Sequence, residues 1–249
     1  MRNSAMLTLV LAAASAPAAA QTMSEPDGAW RGSLGAGVAQ STGTTDSFTA
    51  TVNADAVRRT DRDKLRFYLQ SLYSHQNVDG VSELTAQQVR TGGRYDRDFS
   101  DLSFGFAGYD GEKNKVADLK WRHVPAVGAG LHLRNTKDFT FDVFGGYAYN
   151  RELHYLSPDR SFNEALLGEE TSSKFTKDMS LTQKLQIYPN LTDSGEYRVA
   201  FDAGFVAPLF AHWNLTVSYS MRYQSNPPPG VDNRDTLLFT GLQYQWGAQ

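Results

Sequence analysis

The sequence predicts an all-β fold: a single antiparallel transmembrane β-barrel of about 12 strands, with both termini on the periplasmic side. Three observations predict it. Residues 1–20 read as an export leader, apolar residues recur at every second position through most of the remaining chain, and short connections alternate with longer ones between those segments. The expected division is a cleavable signal peptide at 1–20, a short N-terminal segment at 21–29 and the barrel over 30–249.

In the leader, Arg2 supplies a positive start, Ala5 to Ala14 reads A-M-L-T-L-V-L-A-A-A, and Ala16 to Ala20 reads A-P-A-A-A. That is a short apolar core followed by small residues, with cleavage expected after Ala20. Elsewhere no apolar run approaches the roughly 20 residues of a transmembrane helix, and mean hydropathy is −0.45. A barrel is compatible with that value because only alternate residues face lipid. The absence of cysteine removes disulfides, thiolate metal sites, cysteine nucleophiles and a lipid anchor. With 24 basic and 27 acidic residues there is no electrostatic case for nucleic acid.

The strands follow in order. Trp30, Leu34, Ala36 and Val38 share a parity in the first; Phe48, Ala50, Val52, Ala54 and Ala56 alternate with Thr49, Thr51, Asn53 and Asp55 in the second. Leu65, Phe67 and Leu69 mark the third, Leu84 to Tyr95 a weaker fourth, and Leu102, Phe104 and Phe106 the lipid face of the fifth. In the sixth, Leu119, Trp121, Val127, Ala129, Leu131 and Leu133 oppose a polar face of Asp118, Lys120, Arg122, His132 and Arg134. Phe139, Phe141, Val143, Tyr147 and Tyr149 give the seventh, and the eighth, about 163–175, is faintly patterned. Leu181, Leu185 and Ile187, then Val199, Phe201 and Phe205, then Leu215, Val217 and Tyr219, and finally Leu238, Leu242 and Tyr244 complete the set.

Short connections are expected at 59–63, 96–98, 135–138, 176–178 and 208–212, and mostly longer ones at 40–46, 76–82, 110–116, 152–162, 189–195 and 224–235. An even strand count with both termini at the short-turn side requires the faint eighth segment to be a strand. Aromatic residues gather near segment ends (Trp30, Tyr73, Tyr95, Trp121, Tyr149, Tyr197, Trp213, Tyr223, Trp246), as at membrane interfaces. Pro227 to Gly230 reads as a stiff connector closing the last hairpin.

The opening W-R-G-S-L-G-A-G-V with T-G-T-T-D after it, the segment L-T-Q-K-L-Q-I-Y-P-N at 181–190, and the closing S-Y-S-M-R-Y-Q-S-N-P-P-P-G through D-T-L-L-F-T-G-L-Q-Y-Q-W resemble the YdiY-like salt-induced outer-membrane proteins, a family of unknown function. The likeness covers nearly all of the mature chain and is diffuse in its middle third. Thr44 stands where relatives are expected to carry asparagine. The resemblance implies an outer-membrane barrel without assigned activity, linked to salt or envelope stress, and carries over no functional residue.

No catalytic, cofactor or metal residue is expected: His75, His123, His132, His154 and His212 have no second histidine at ligand spacing. The G-x-G pairs at Gly35/Gly37 and Gly128/Gly130 lack a following helix and read as small residues that let strands curve or large side chains cross the lumen. The residues singled out are charges of inward parity: Arg31, Asp55, Arg66, Arg90, Arg94, Asp118, Lys120, Arg122, Asp142, Lys184, Arg198, Asp202 and Arg222. Facing lipid, each would cost about 2–4 kcal/mol near the midplane. Two outcomes stay open: a water-filled lumen passing small solutes, or arginines and carboxylates pairing across a narrow barrel to close it. A different class, an outer-membrane enzyme acting on phospholipid or lipid A, would need an outer-face serine beside His123; the parity read for the fifth strand turns Ser103 away from that face. A soluble periplasmic ligand-binding β-protein is the third class. Expected partners are outer-membrane lipids, the barrel-assembly machinery during insertion and small solutes.

Overall fold

A computed structural model of the chain describes residues 26–41, 45–78, 81–176 and 179–247. The expected signal peptide lies outside the described residues. The strands are β1 (Trp30–Ser41), β2 (Thr45–Arg59), β3 (Asp63–Val78), β4 (Val81–Asp98), β5 (Ser103–Asn114), β6 (Leu119–Asn135), β7 (Phe139–His154), β8 (Arg160–Lys174), β9 (Ser180–Pro189), β10 (Tyr197–Phe210), β11 (Trp213–Gln224) and β12 (Arg234–Trp246). Each is antiparallel to its sequence neighbours, and β1 pairs with β12, so the sheet is a closed barrel. Closure gives almost every backbone N–H and C=O a partner in the wall, which a sheet in hydrocarbon must achieve.

The faint eighth segment is a full strand, paired with β7 from Glu152↔Arg160 to Phe139↔Ser173. Its alternation is weak because Phe162 and Leu166 turn inward beside Glu164 and Glu170, leaving Ser161, Asn163 and Ala165 on the opposite parity. Several segments expected as loops are strand instead: only residues 79–80 separate β3 from β4, and the turn expected at 96–98 lies at 99–102. Polar strand ends mimic loops because a ladder needs backbone groups and no apolar side chain. The marked asymmetry is confined to residues 190–196 and 225–233, at the end opposite the termini.

The outside is apolar. Leu34, Val38, Val52, Leu69, Val127, Leu131, Leu167, Leu181, Leu238 and Leu242 are all exposed, far more than the few hundred Å² of apolar patch that a water-soluble surface carries. Aromatic rings bound this belt. Trp30, Tyr95, Trp213 and Trp246 stand at the terminal end, while Tyr73, Trp121, Tyr149, Tyr197 and Tyr223 stand at the loop end. From Trp213 to Tyr223 is about 34 Å along the strand, or about 26 Å after a tilt of about 40°, the height of a transmembrane barrel's lipid belt.

The fifth strand reverses the expected parity: Phe104 and Phe106 are buried inside, with Ser103 outward. Their partners in the ladder are Gly130 and Gly128, and a Cβ added to either glycine would lie under 3.0 Å from the facing ring. The second G-x-G pair therefore seats two aromatic rings in the lumen. With Val124, Phe144, Ala148, Leu166 and Tyr188 they form an apolar cluster on the inner wall.

The closing seam is incomplete. Residues 32–36 of β1 pair with 242–246 of β12, whereas β1 pairs with β2 along its whole length. The same register would next pair Gly37 with Gly241, and that bond is absent. There the Phe239 ring, 1% exposed, folds over Gly241 and lies 3.0 Å from where a Gly37 Cβ would be. Phe239 packs where the ladder stops and covers this half of the seam, without supplying its backbone hydrogen bonds. Phe239→Ala is expected to lower stability by about 3–5 kcal/mol in urea unfolding from detergent, while Leu238→Ala, on the lipid side, changes the midpoint little.

Candidate functional site: the barrel lumen

Alternation along the strands delivers the inward charges to the lumen. Arg66, Arg90, Arg94, Arg122, Lys184, Arg198, Asp202 and Arg222 line one cavity of about 240 Å³ that runs from mid-barrel to the loop end. Asp142 lines a smaller cavity of about 40 Å³ at the terminal end. Asp55 faces inward between β1 and β3, bonded to Ser33, outside both cavities. Arg31 sits at the terminal rim, paired with Asp27 at 2.6 Å.

Two expected lumen residues lie elsewhere. Lys120 is exposed on the outer side because the β6–β7 register shifts between Leu119 and Trp121, which turns Leu119 inward. A bulge changes parity without changing composition, so counting by twos fails there. Asp118 is in the β5–β6 turn with φ 58°, a left-handed conformation that Asp tolerates better than most residues. Its carboxylate caps the β7–β8 loop, accepting backbone N–H bonds from Tyr155 (3.1 Å), Leu156 (2.8 Å) and Ser157 (2.9 Å).

Sequence reasoning named Asp202 but missed the glutamates of the network. Arg122 donates to Glu152 (2.9 Å), Glu112 (2.9 Å) and Gln224 (3.0 Å). Arg198 holds Glu164 through two bonds at 2.8 and 2.6 Å, and Arg222 pairs with Asp202 at 2.9 Å. Glu152 carries the inward parity read for the seventh strand, so the same count finds it; Glu112 was hidden by the reversed parity of β5, and Glu164 and Glu170 by the faint β8 pattern.

The two cavities share Arg66, Arg94 and Glu170. Arg66 of β3 bonds Glu170 of β8 across the lumen and lies 3.6 Å from Asp96. Arg94 donates to Asp96 at 2.6 Å. Its guanidinium stands 4.2 Å from the Phe106 ring centre and 4.6 Å from that of Phe144, a geometry in which the cation meets the negative ring faces. Together these groups make a waist between the cavities.

At the loop end, Pro227, Pro228 and Val231 of the β11–β12 loop line the larger cavity, so this stretch, expected as a plain connector, also forms part of its cover. The loop is tied down through Glu196, which accepts bonds from Arg160 (2.6 Å), Asn190 (3.3 Å) and Asn226. Partial burial raises the Glu196 carboxyl, but the bonds from Asn226 and Arg160 outweigh it and the net shift is downward. The same balance holds for Asp118: desolvation raises it, and the bonds from Ser157, Leu156 and Tyr155 bring it below the usual carboxylate range.

On the outer face, His123 bonds Tyr109 at 2.6 Å and stacks on Trp121. Ser103 shares that face, correcting the expected parity, but pairs with Leu131 while His123 pairs with Gly111, about 26 Å along the strand. No proton transfer joins them at that separation.

Because the folded Asp118 carboxyl is held low, its stabilisation of the β7–β8 loop is full above about pH 4 and is lost as pH falls through the lowered folded value. Amide-exchange protection at Tyr155, Leu156 and Ser157 is expected to fall in that acid window. In Asp118→Asn, hydrogen exchange should show reduced protection there at neutral pH as well.

A family model described as a protein of unknown function, DUF481, matches residues 34–246. No curated protein matches the chain. Among solved structures the chain is similar to the translocator domain of autotransporter NalP from Neisseria meningitidis (15% identity, TM-score 0.45, covering 86% of each chain). It is also similar to the NanC porin (12% identity, TM-score 0.44, 86% of this chain and 96% of that one) and to the KdgM porin in complex with disordered oligogalacturonate (12% identity, TM-score 0.42, 87% and 98%).

Proposed function

The chain belongs to the DUF481 family of proteins of unknown function, and we propose that it is an outer-membrane barrel offering a narrow path for small solutes, shut at its waist in this conformation. The apolar belt and the even, closed, antiparallel strand set support the membrane assignment. With the longer loops at one end and the termini at the other, the loop end faces outward and the termini face the periplasm. Membrane lipids contact the belt, and the barrel-assembly machinery inserts it.

The waist carries the reading: the two cavities meet at Arg66, Arg94 and Glu170, so side chains divide the lumen there. A cavity of about 240 Å³ suits small solutes. A permanently closed structural barrel is the second reading, favoured by Arg90 bonding Ser220 and Arg122 bonding Gln224 across the lumen.

Planar-bilayer recording separates them. Wild-type protein is expected to give small, infrequent conductance steps, and the paired substitution Arg66→Ala with Glu170→Ala to give larger and longer ones. Removing both partners avoids stranding one buried charge, so the barrel should stay folded. A silent membrane for both proteins at high load leaves the structural barrel.

A further inference from the structure

The inner face of β9 presents Thr182, Lys184, Gln186 and Tyr188 in a row, all lining the larger cavity. Among the described residues none of their side chains makes a hydrogen bond or ion pair within the protein, and the Thr182 hydroxyl is buried without a partner. Thr182, Gln186 and Tyr188 are all less than a tenth exposed. This sets the row apart, because the arginines around it are matched to carboxylates: Arg90 and Arg122 to Glu112, Arg198 to Glu164, Arg222 to Asp202. A buried hydroxyl left without a partner is costly. That hydroxyl, with three further polar side chains on the same wall that make no hydrogen bond within the protein, marks a site that a solute completes.

The unmatched charges say what kind of solute. Lys184 sits beside Glu170 in the ladder, but Glu170 is already held by Arg66. Asp110, on the same cavity, accepts a bond from the Tyr68 hydroxyl at 2.5 Å and, among the described residues, forms no ion pair. Lys184 and Asp110 line the same cavity and make no ion pair with each other. Between them the cavity wall is apolar, with Phe106, Val124 and Leu166.

We propose that the cavity binds a small zwitterion with an apolar side group, an α-amino acid in chemical class. Its carboxylate meets Lys184 and the Thr182 hydroxyl, its ammonium meets Asp110, and its side group lies on Phe106 and Leu166. A carboxylate alone would leave Asp110 unmatched and an amine alone would leave Lys184 unmatched. The inference rests on the solute-path reading for the role of the cavity, not for its binding.

The test is calorimetric titration of the purified full chain, folded in detergent, with three probes: phenylalanine, phenylpropionate, which lacks the amine, and phenylethylamine, which lacks the carboxylate. Phenylalanine is expected to bind at least about tenfold more tightly than either, the effect of one charge-assisted hydrogen bond. Lys184→Met should abolish the advantage over phenylethylamine, Asp110→Asn the advantage over phenylpropionate, and Lys184→Arg should retain both; gel mobility before and after heating checks that each variant is folded. Equal binding of phenylpropionate and phenylalanine, binding unchanged in the variants, or no binding of any probe overturns the proposal. A conducting barrel that binds no probe sinks this inference alone, and a barrel that binds phenylalanine but never conducts sinks the path alone.

Discussion

Backbone closure is the constraint on which the rest of this structure depends. A wall in hydrocarbon cannot leave N–H and C=O groups unpaired, so the strands form a ring. Once the ring is closed, the period of two assigns one set of side chains to lipid and the other to the lumen. The outer set is then forced to be largely apolar, and most charges the strands carry turn inward, where the arginines meet carboxylates. The seam between β1 and β12 is where closure is least complete, and there a buried phenylalanine occupies the place of the missing ladder.

The lumen answers its own constraint by pairing. Buried arginines face carboxylates on neighbouring strands, and at the waist one pair spans the barrel from β3 to β8. Such pairs recover the cost of desolvation only when geometry and further hydrogen bonds are good. Arg122 meets that condition by sharing its guanidinium among two glutamates and a glutamine. A network held this way is rigid where it is saturated. At the waist a single ion pair among the described residues, Arg66–Glu170, joins the two walls.

Much of this was legible in the sequence, because alternation is a direct consequence of strand geometry. Most inward charges follow from parity alone, while strand number and closure also needed the export leader and the alternation of short and longer connections. Parity fails where geometry departs from it: the register shift in β6 moves Lys120 outward, and Asp118 leaves the strand for a turn. It fails differently in β5, where Phe104 and Phe106 read as lipid-facing because an aromatic residue is apolar on either face. Their inward placement rests on Gly128 and Gly130 of the neighbouring strand, and which strand positions meet is information held in register, not in any one segment. The waist was illegible for the same reason, since Arg66 and Glu170 are joined by the barrel's curvature.

The distribution of side-chain size explains why the larger cavity is off-centre. On β1, β2 and β11 most buried inward residues are small: Ser33, Thr49, Thr51, Thr216, Ser218 and Ser220. Small residues on that wall leave room for long side chains from the facing wall, and Arg90 reaches Ser220 at 3.3 Å. That side of the lumen is filled. Free volume is displaced toward β9 and β10 and the aromatic cluster, where rings and short apolar residues cannot reach across. The cavity is thus bounded by a charged wall and an apolar wall as a result of how the lumen is packed, and a solute inside it would meet both surfaces at once.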